Sequence, residues 1–215
     1  MRTPRTRVKR LPKRGHYDRD TIDAILDEGI VCHLGFIHAG SPFVIPTLYA
    51  RSGDAVLFHG SAASRALEIA KGTLPVCLTV TLVDGLVLAR SAFHHSANYR
   101  SAVLLGNARE ITEPNEKLRA LEAISEHLIP GRWAEVRRPS KKELLATSVL
   151  KMPIDEASAK IREGGPLDED DDYTRDVWAG IIPLELRALA PVADERLRRG
   201  IAAPAYARRY ARPRR

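Results

Sequence analysis

The chain has 215 residues, 44% hydrophobic and 28% charged, enough to bury one good core with at most a small accessory lobe. Its two cysteines, Cys32 and Cys77, both lie inside apolar runs, which excludes a disulfide framework and a cysteine metal site; no run approaches the roughly 18 apolar residues of a membrane span, and a cytoplasmic protein is expected. The net charge of +7 belongs to the ends: residues 1–15 and 196–215 hold 15 of the 34 basic residues and no acid, leaving 19 bases against 27 acids, a core near −8.

The ends are therefore expected to be a mobile basic arm (1–15) and a mobile Arg-rich tail (191–215) flanking one domain (16–190). Without aromatic interleaving or a binding motif they do not predict a nucleic-acid partner, although a polyanion contact is the competing reading.

In chain order, "DRDTIDAILDEG" predicts a short helix with Asp20 as N-cap, an Ile22, Ile25 and Leu26 face, and Gly29 as the stop. "IVCHLGFI", "FVIPTLYAR" and "AVLFHG" are short, β-branched and aromatic, and separated by the turn clusters "HAGSP" and "RSGD", the pattern of an antiparallel meander. "AASRALEIAKG" has helical spacing, and "PVCLTVTLVDG" alternates like a strand with one buried face. "SAVLLGNAREI" resumes strand character, and Pro114 opens a helix whose Leu118, Leu121 and Ile124 form its apolar face. "LLATSVLKMPIDEASAKI" and "VWAGIIPLEL" are two further strand candidates joined by the acidic "REGGPLDEDDDY", read as a solvated connection with a functional lid as the alternative. Six or seven strands with three inserted helices favour a mainly β small barrel over a doubly wound sheet.

Two stretches carry chemistry. In "HGSAASRAL" a strand ends in His59-Gly60 and runs into a helix start carrying Ser61, Ser64 and Arg65; free N–H groups, hydroxyls and a guanidinium make a phosphate receptor, and ordinary helix capping is the competing reading. In "GLVLARSAFHHSANYRS" a strand-like run is followed by His94, His95, Tyr99, Arg100 and Ser101, a second cluster of hydroxyls around a cation that could clamp the same phosphate. His94 and His95 would point to opposite faces of a strand, and the other histidines lack metal-ligand spacing, so no metal site is predicted. Pro46 cannot donate to a ladder and marks a strand edge or a place where something other than a strand lies alongside.

The succession "RLPKRGHYDRDTIDAILDEG", "CHLGFI", "GSPFVIPTLYAR", "AVLFHGSAASRAL" and "PVCLTVTLVDGLVLARSAFHHSANYRSAVLLGNARE", continued by "HLIPGRW", "LLATSVLKMPIDEASAKIREGGPLDED" and "DVWAGIIPLEL", resembles the flavin-nucleotide-binding branch of the pyridoxamine 5'-phosphate oxidase-like superfamily, which includes the nitroimidazole-resistance reductases. The resemblance implies a six-stranded split β-barrel, a homodimer, and FMN in clefts at the subunit interface. It implies that Val44, Ile45, Pro46 and Thr47 meet the isoalloxazine edge, with the phosphate near Ser64 and Arg65, helped by Tyr99, Arg100 and Ser101. His59 is the preferred proton donor among His59, His94 and His95, and Lys160 and Arg162 are later candidates for cofactor or substrate contact. The implied activity is an oxidoreductase passing electrons from NAD(P)H to a small organic acceptor such as a nitro compound; alternatives are a deazaflavin- or haem-loaded barrel, or a nucleic-acid-associated protein acting through its tails. No histidine follows His127, so the Arg-x-His segment that holds substrate in true pyridoxamine phosphate oxidases has no counterpart.

Overall fold

The computed structural model describes residues 1–61 and 73–212. Nine strands form one sheet: β1 (Gly15–His16), β2 (Val31–His38), β3 (Ser41–Ser52), β4 (Ala55–Ser61), β5 (Thr73–Leu88), β6 (Ser96–Glu110), β7 (Thr147–Pro153), β8 (Glu156–Arg162) and β9 (Gly180–Pro183). Six of them close into a ring, β6-β7-β4-β3-β2-β5 and back to β6, while β1 and β8 extend it beside β6 and β9 beside β5. The ring is the six-stranded split barrel expected from the resemblance, and closure removes the open edges that a sheet of this length would otherwise expose.

The alternation in the sequence fills the barrel. Leu34 from β2, Tyr49 from β3, Leu78 from β5, Leu104 from β6, and Leu150 and Met152 from β7 are all buried inside, each aliphatic side chain contributing about 1.5–3 kcal/mol. The helix α1 (Arg19–Glu28) lays Ile22, Ile25 and Leu26 onto this core, as its spacing predicted. Its N-cap is Asp18, accepting from the Thr21 N–H, and not Asp20, which sits in the first turn. Gly29 ends the helix by close approach: a Cβ there would lie 2.5 Å from both the Tyr49 hydroxyl and Val80. That hydroxyl donates to the Leu26 carbonyl at 2.6 Å, tying helix to barrel.

α2 (Pro114–Leu128) covers β3, β4 and β7 with Ala120 and Ile124 buried and Leu121 partly so. Two expectations on element boundaries change. "LLATSVLKMPIDEASAKI" is not one strand: Ser140 and Glu143 form a reciprocal capping box that starts α3 (Lys141–Ala146), after which β7 and β8 are separate. The hydroxyl-rich "SANYRS" does not precede the strand but forms the first six residues of the 15-residue β6, paired along nearly its whole length to β5. The helix expected over 62–72 lies outside the described residues.

The ends are docked. Arg5 pairs with Glu156 at 2.7 Å, and the Ala157 N–H donates to the Met1 carbonyl, fastening the N-terminal arm to β8. At the other end α4 (Ala205–Arg208) leads to Tyr210 and Arg212, which bond to the C-terminal ends of α1 and α2. Specific hydrogen bonds thus hold Met1 and Arg5 of the arm and Tyr210 and Arg212 of the tail to the barrel and its helices. Among the described residues no helix is long and apolar enough to cross a membrane.

Candidate functional site at the split between two strands

The barrel is split where β3 and β4 part. Their ladder holds from Tyr49–Phe58 to Ser52–Ala55 and goes no further, while β4 stays paired to β7 along its whole length, His59, Gly60 and Ser61 facing Val149, Ser148 and Thr147. β3 continues through Leu48, Thr47, Pro46, Ile45 and Val44 with β2 on one side. On its other side no strand of the described residues pairs with it. Backbone polar groups left on such an edge call for a partner, and Pro46, with no N–H to give, falls inside the unpaired run.

Two observations mark the split as a binding cleft. His59 is half-buried and its Nδ1 is buried without a hydrogen-bond partner among the described residues, the kind of orphan that a ligand atom satisfies. Burial also pushes the His59 pKa below its ordinary value, so the ring is neutral at pH 7 and can either give or take a proton. Beside it the Thr47 hydroxyl reaches the His59 carbonyl at 3.4 Å.

The outer barrel face next to the split is apolar and open. Val44 is 66% exposed, and Pro46 and Leu48 lie on the same face as His33 of β2 and His59 of β4 by the strand registers. A groove of about 360 Å³ continues this face over Ile37, Phe43, Val44 and Cys77. Cys32, on the inner side of the same strand pair, is inert, its thiol pushed up to about 12 by burial.

The other sequence-predicted residues separate into three groups. Ser64 and Arg65 lie outside the described residues. Tyr99, Arg100 and Ser101 stand on β6, three strands from β3 by either route around the ring, so a single chain does not bring them to the Val44–Thr47 edge. Arg100 has its fork filled: it contacts both carboxylate oxygens of Glu28 at 2.5 and 2.9 Å and both of Asp84 at 3.0 and 2.7 Å. A phosphate there would have to displace two carboxylates. Ser101 reaches the Lys160 carbonyl at 3.3 Å, and Arg162, buried, donates to Asn98 and to the Gly164 and Gly165 carbonyls.

The paired histidines sit in a turn between β5 and β6. His95 Nδ1 accepts from the Ala89 N–H at 2.9 Å, which fixes the neutral ring with its proton on Nε2. The acidic connection is pinned against this turn by a residue the sequence did not single out: the buried Asp168 carboxylate accepts from the Arg90 and Ser91 N–H groups and from the Arg90 guanidinium. Burial raises the Asp168 pKa, and these donors outweigh it and hold the carboxyl below its ordinary range. The first acid after "GGPL" was the available signal.

No curated protein matches the chain. Among solved structures it is similar over 95% of both chains to the flavocytochrome Anf3 from Azotobacter vinelandii, at 41% identity and a TM-score of 0.90. It is similar to an FAD and heme binding protein from Mycobacterium smegmatis at 35% identity and a TM-score of 0.86, over 91% of this chain and 96% of that one. A chain described as a 5-nitroimidazole antibiotic resistance protein from Bacteroides thetaiotaomicron shares the fold at 24% identity and a TM-score of 0.58, over 68% of this chain and 86% of that one. A family model described as pyridoxamine 5'-phosphate oxidase matches residues 18–161, the span from the α1 cap through β8 that contains the whole ring and its split. By that match and by the split ring itself, the chain belongs to the pyridoxamine 5'-phosphate oxidase-like family, in its flavin-binding split-barrel branch.

Proposed function

We propose that the protein is a flavin-binding oxidoreductase, a homodimer whose cofactor lies in the split along Val44–Thr47, and that it passes electrons from NAD(P)H to a small organic acceptor. The observation that carries this is the unpaired β3 edge facing a half-buried histidine with an orphaned ring nitrogen. Bound there, a flavin supplies the two-electron chemistry. The chain's own part is to bind and orient it: alternate backbone groups along Val44–Thr47, those on the edge away from β2, offer hydrogen bonds to the ring edge, and the apolar outer face excludes water from one side. His59, neutral at pH 7, holds or moves a proton at Nδ1. Ser64 and Arg65, by sequence, are the phosphate receptor.

The proposed dimer gives the second hydroxyl cluster a role. Tyr99 and Ser101 stand across the ring from the split, so they can join the cofactor site of a neighbouring subunit rather than their own. FMN is the nucleotide the sequence resemblance implies; FAD is the one named for the M. smegmatis relative at 35% identity. A haem in addition is favoured by the two relatives aligned along more than nine-tenths of this chain. His33 would suit as the residue holding haem iron, since it projects from the open face of β2 and its ring makes no hydrogen bond among the described residues, whereas His95 presents a protonated Nε2.

The test is the His59→Gln variant loaded with flavin, followed by anaerobic reduction with NADH and with NADPH and reoxidation by a nitroaromatic acceptor. Loss of a positioned proton group costs on the order of 10²-fold in turnover with flavin retained. In the wild type the rate should fall on the acid side at a pH below about 6.5, because burial lowers this imidazole from its ordinary value. Unchanged turnover and an unchanged acid limb in the variant would remove His59 from the chemistry.

A further inference from the structure

The connection between β8 and β9 and the arm after β9 carry opposite, unanswered charge. Residues 163–176 hold seven acids against one base, Arg175. Asp168 is used internally, Asp172 pairs with Arg175, and Glu169 lies 3.8 Å from His94. Glu163, Asp170, Asp171 and Asp176 are exposed, and among the described residues none has an ion-pair partner. The arm presents the complement over residues 196–204, which carry three arginines and no acid, after Glu185, Asp194 and Glu195 earlier in the arm. Arg196, Arg198 and Arg199 are exposed with no ion pair among the described residues.

Apolar exposure follows the same division. Next to the acidic connection stand Phe93, 89% exposed, and Trp178, 65% exposed. On the arm, Leu189 is 83% and Val192 95% exposed. Side chains this apolar, gathered on two segments rather than scattered singly, mark interaction surfaces.

The arm is fixed at both ends in the chain that carries it. It leaves β9 with the Leu184 N–H on the Asp84 carbonyl, and it returns through Tyr206 on Arg132 and Glu135 beyond α2 and through Tyr210 and Arg212 on the C-terminal ends of α2 and α1. Residues 194–201 hold local turns, Leu197 to Asp194 and Ile201 to Arg198, and Arg196, Arg198 and Arg199 are exposed.

We propose that the arginine-bearing arm of each chain (residues 185–204) docks on the acidic connection and exposed aromatics of a second copy, so that two arms strap the dimer together reciprocally. The proposal rests on the homodimer proposed above. A two-fold pair uses each patch once, arm on connection and connection on arm, which is how an isologous contact closes. Facing patches of opposite sign set its register, and the exposed aromatic and aliphatic side chains beside them supply the burial.

The test is sedimentation of the full-length protein carrying charge reversals. Arg196→Glu/Arg198→Glu/Arg199→Glu is expected to raise the dimer dissociation constant at least about tenfold, and Asp170→Arg/Asp171→Arg to do the same. Mixing these two chains should restore association to near the wild-type value, because each reversed arm then meets a reversed connection on its partner and each native arm a native one. Both reversals lie on exposed segments, and circular dichroism checks that the fold is kept. If the dimer forms with unchanged affinity in both variants, or mixing fails to restore it, the strap is refuted and the dimer stands. A wild-type chain that sediments as a monomer at micromolar concentration refutes both.

Discussion

Replacing Arg100 by alanine is expected to destabilise the fold by about 2–3 kcal/mol and to leave flavin affinity unchanged. The sequence alone suggested the opposite, a phosphate contact, because Arg100 sits among hydroxyls in "SANYRS". In the fold its two forks hold Glu28 at the end of α1 and Asp84 at the β5 bulge, with the arginine side chain 19% exposed. The two carboxylates, through their bonds to it, push its pKa up and keep it a cation at every accessible pH. Removing it strands two acids side by side at a half-buried junction between helix and sheet, where repulsion and desolvation act together. Urea unfolding and flavin titration on the same variant separate the roles. Weakened flavin binding with unchanged stability would put the cofactor phosphate at Arg100 after all.

Arg212→Ala should cost about 2–4 kcal/mol and free the C-terminal arm to proteolysis. A helix leaves its last carbonyls without partners, and Arg212 serves two helices at once: it donates to the Asp27, Glu28 and Gly29 carbonyls after α1 and to the His127 carbonyl at the end of α2. A cation at two helix C-termini is also favoured by both dipoles. His127 completes the latch through Nε2, 2.8 Å from the Gly29 carbonyl and 3.1 Å from Arg212, and it packs against Tyr49. Burial, aided by Arg212, lowers the His127 pKa despite the Gly29 bond. A native pKa below the unfolded one means that this stability is whole above about pH 6.5 and is lost as the pH falls toward the lowered value. Acid should therefore loosen the same end of the molecule that Arg212→Ala does, and limited proteolysis within residues 190–212 at pH 7.5 and 5.5 checks both. Resistance of the variant at pH 7.5 would show that the arm is held by something other than this latch.

Local pattern carried much of the fold. The alternation in "PVCLTVTLVDG", the Gly29 stop and the Ile22, Ile25, Leu26 face each reported a physical period and each appears in the structure. "SKKE" ahead of α3 was equally legible as a capping box, but a run of apolar residues behind it read as strand. The site was half legible. Pro46 flagged an edge because a missing N–H is a local fact, and the split lies there. What charge will face Arg100 is not local: Glu28 is 72 residues away and Asp84 16. The latch at Arg212, 184 residues from Glu28, is beyond any window of the sequence. Composition likewise named the ends as basic, but not their partners: Glu156 for Arg5 and a cluster of carbonyls for Arg212 lie far away in the chain.

The central claim is that the split between β3 and β4 holds a flavin, and the most direct measurement is the absorption spectrum of the purified protein, with the released chromophore identified by mass and counted per chain. Flavin bands with FMN or FAD near one per chain are the predicted result, and a Soret band lost in His33→Ala would add the haem. A colourless protein that takes up neither FMN nor FAD when they are supplied would contradict the account.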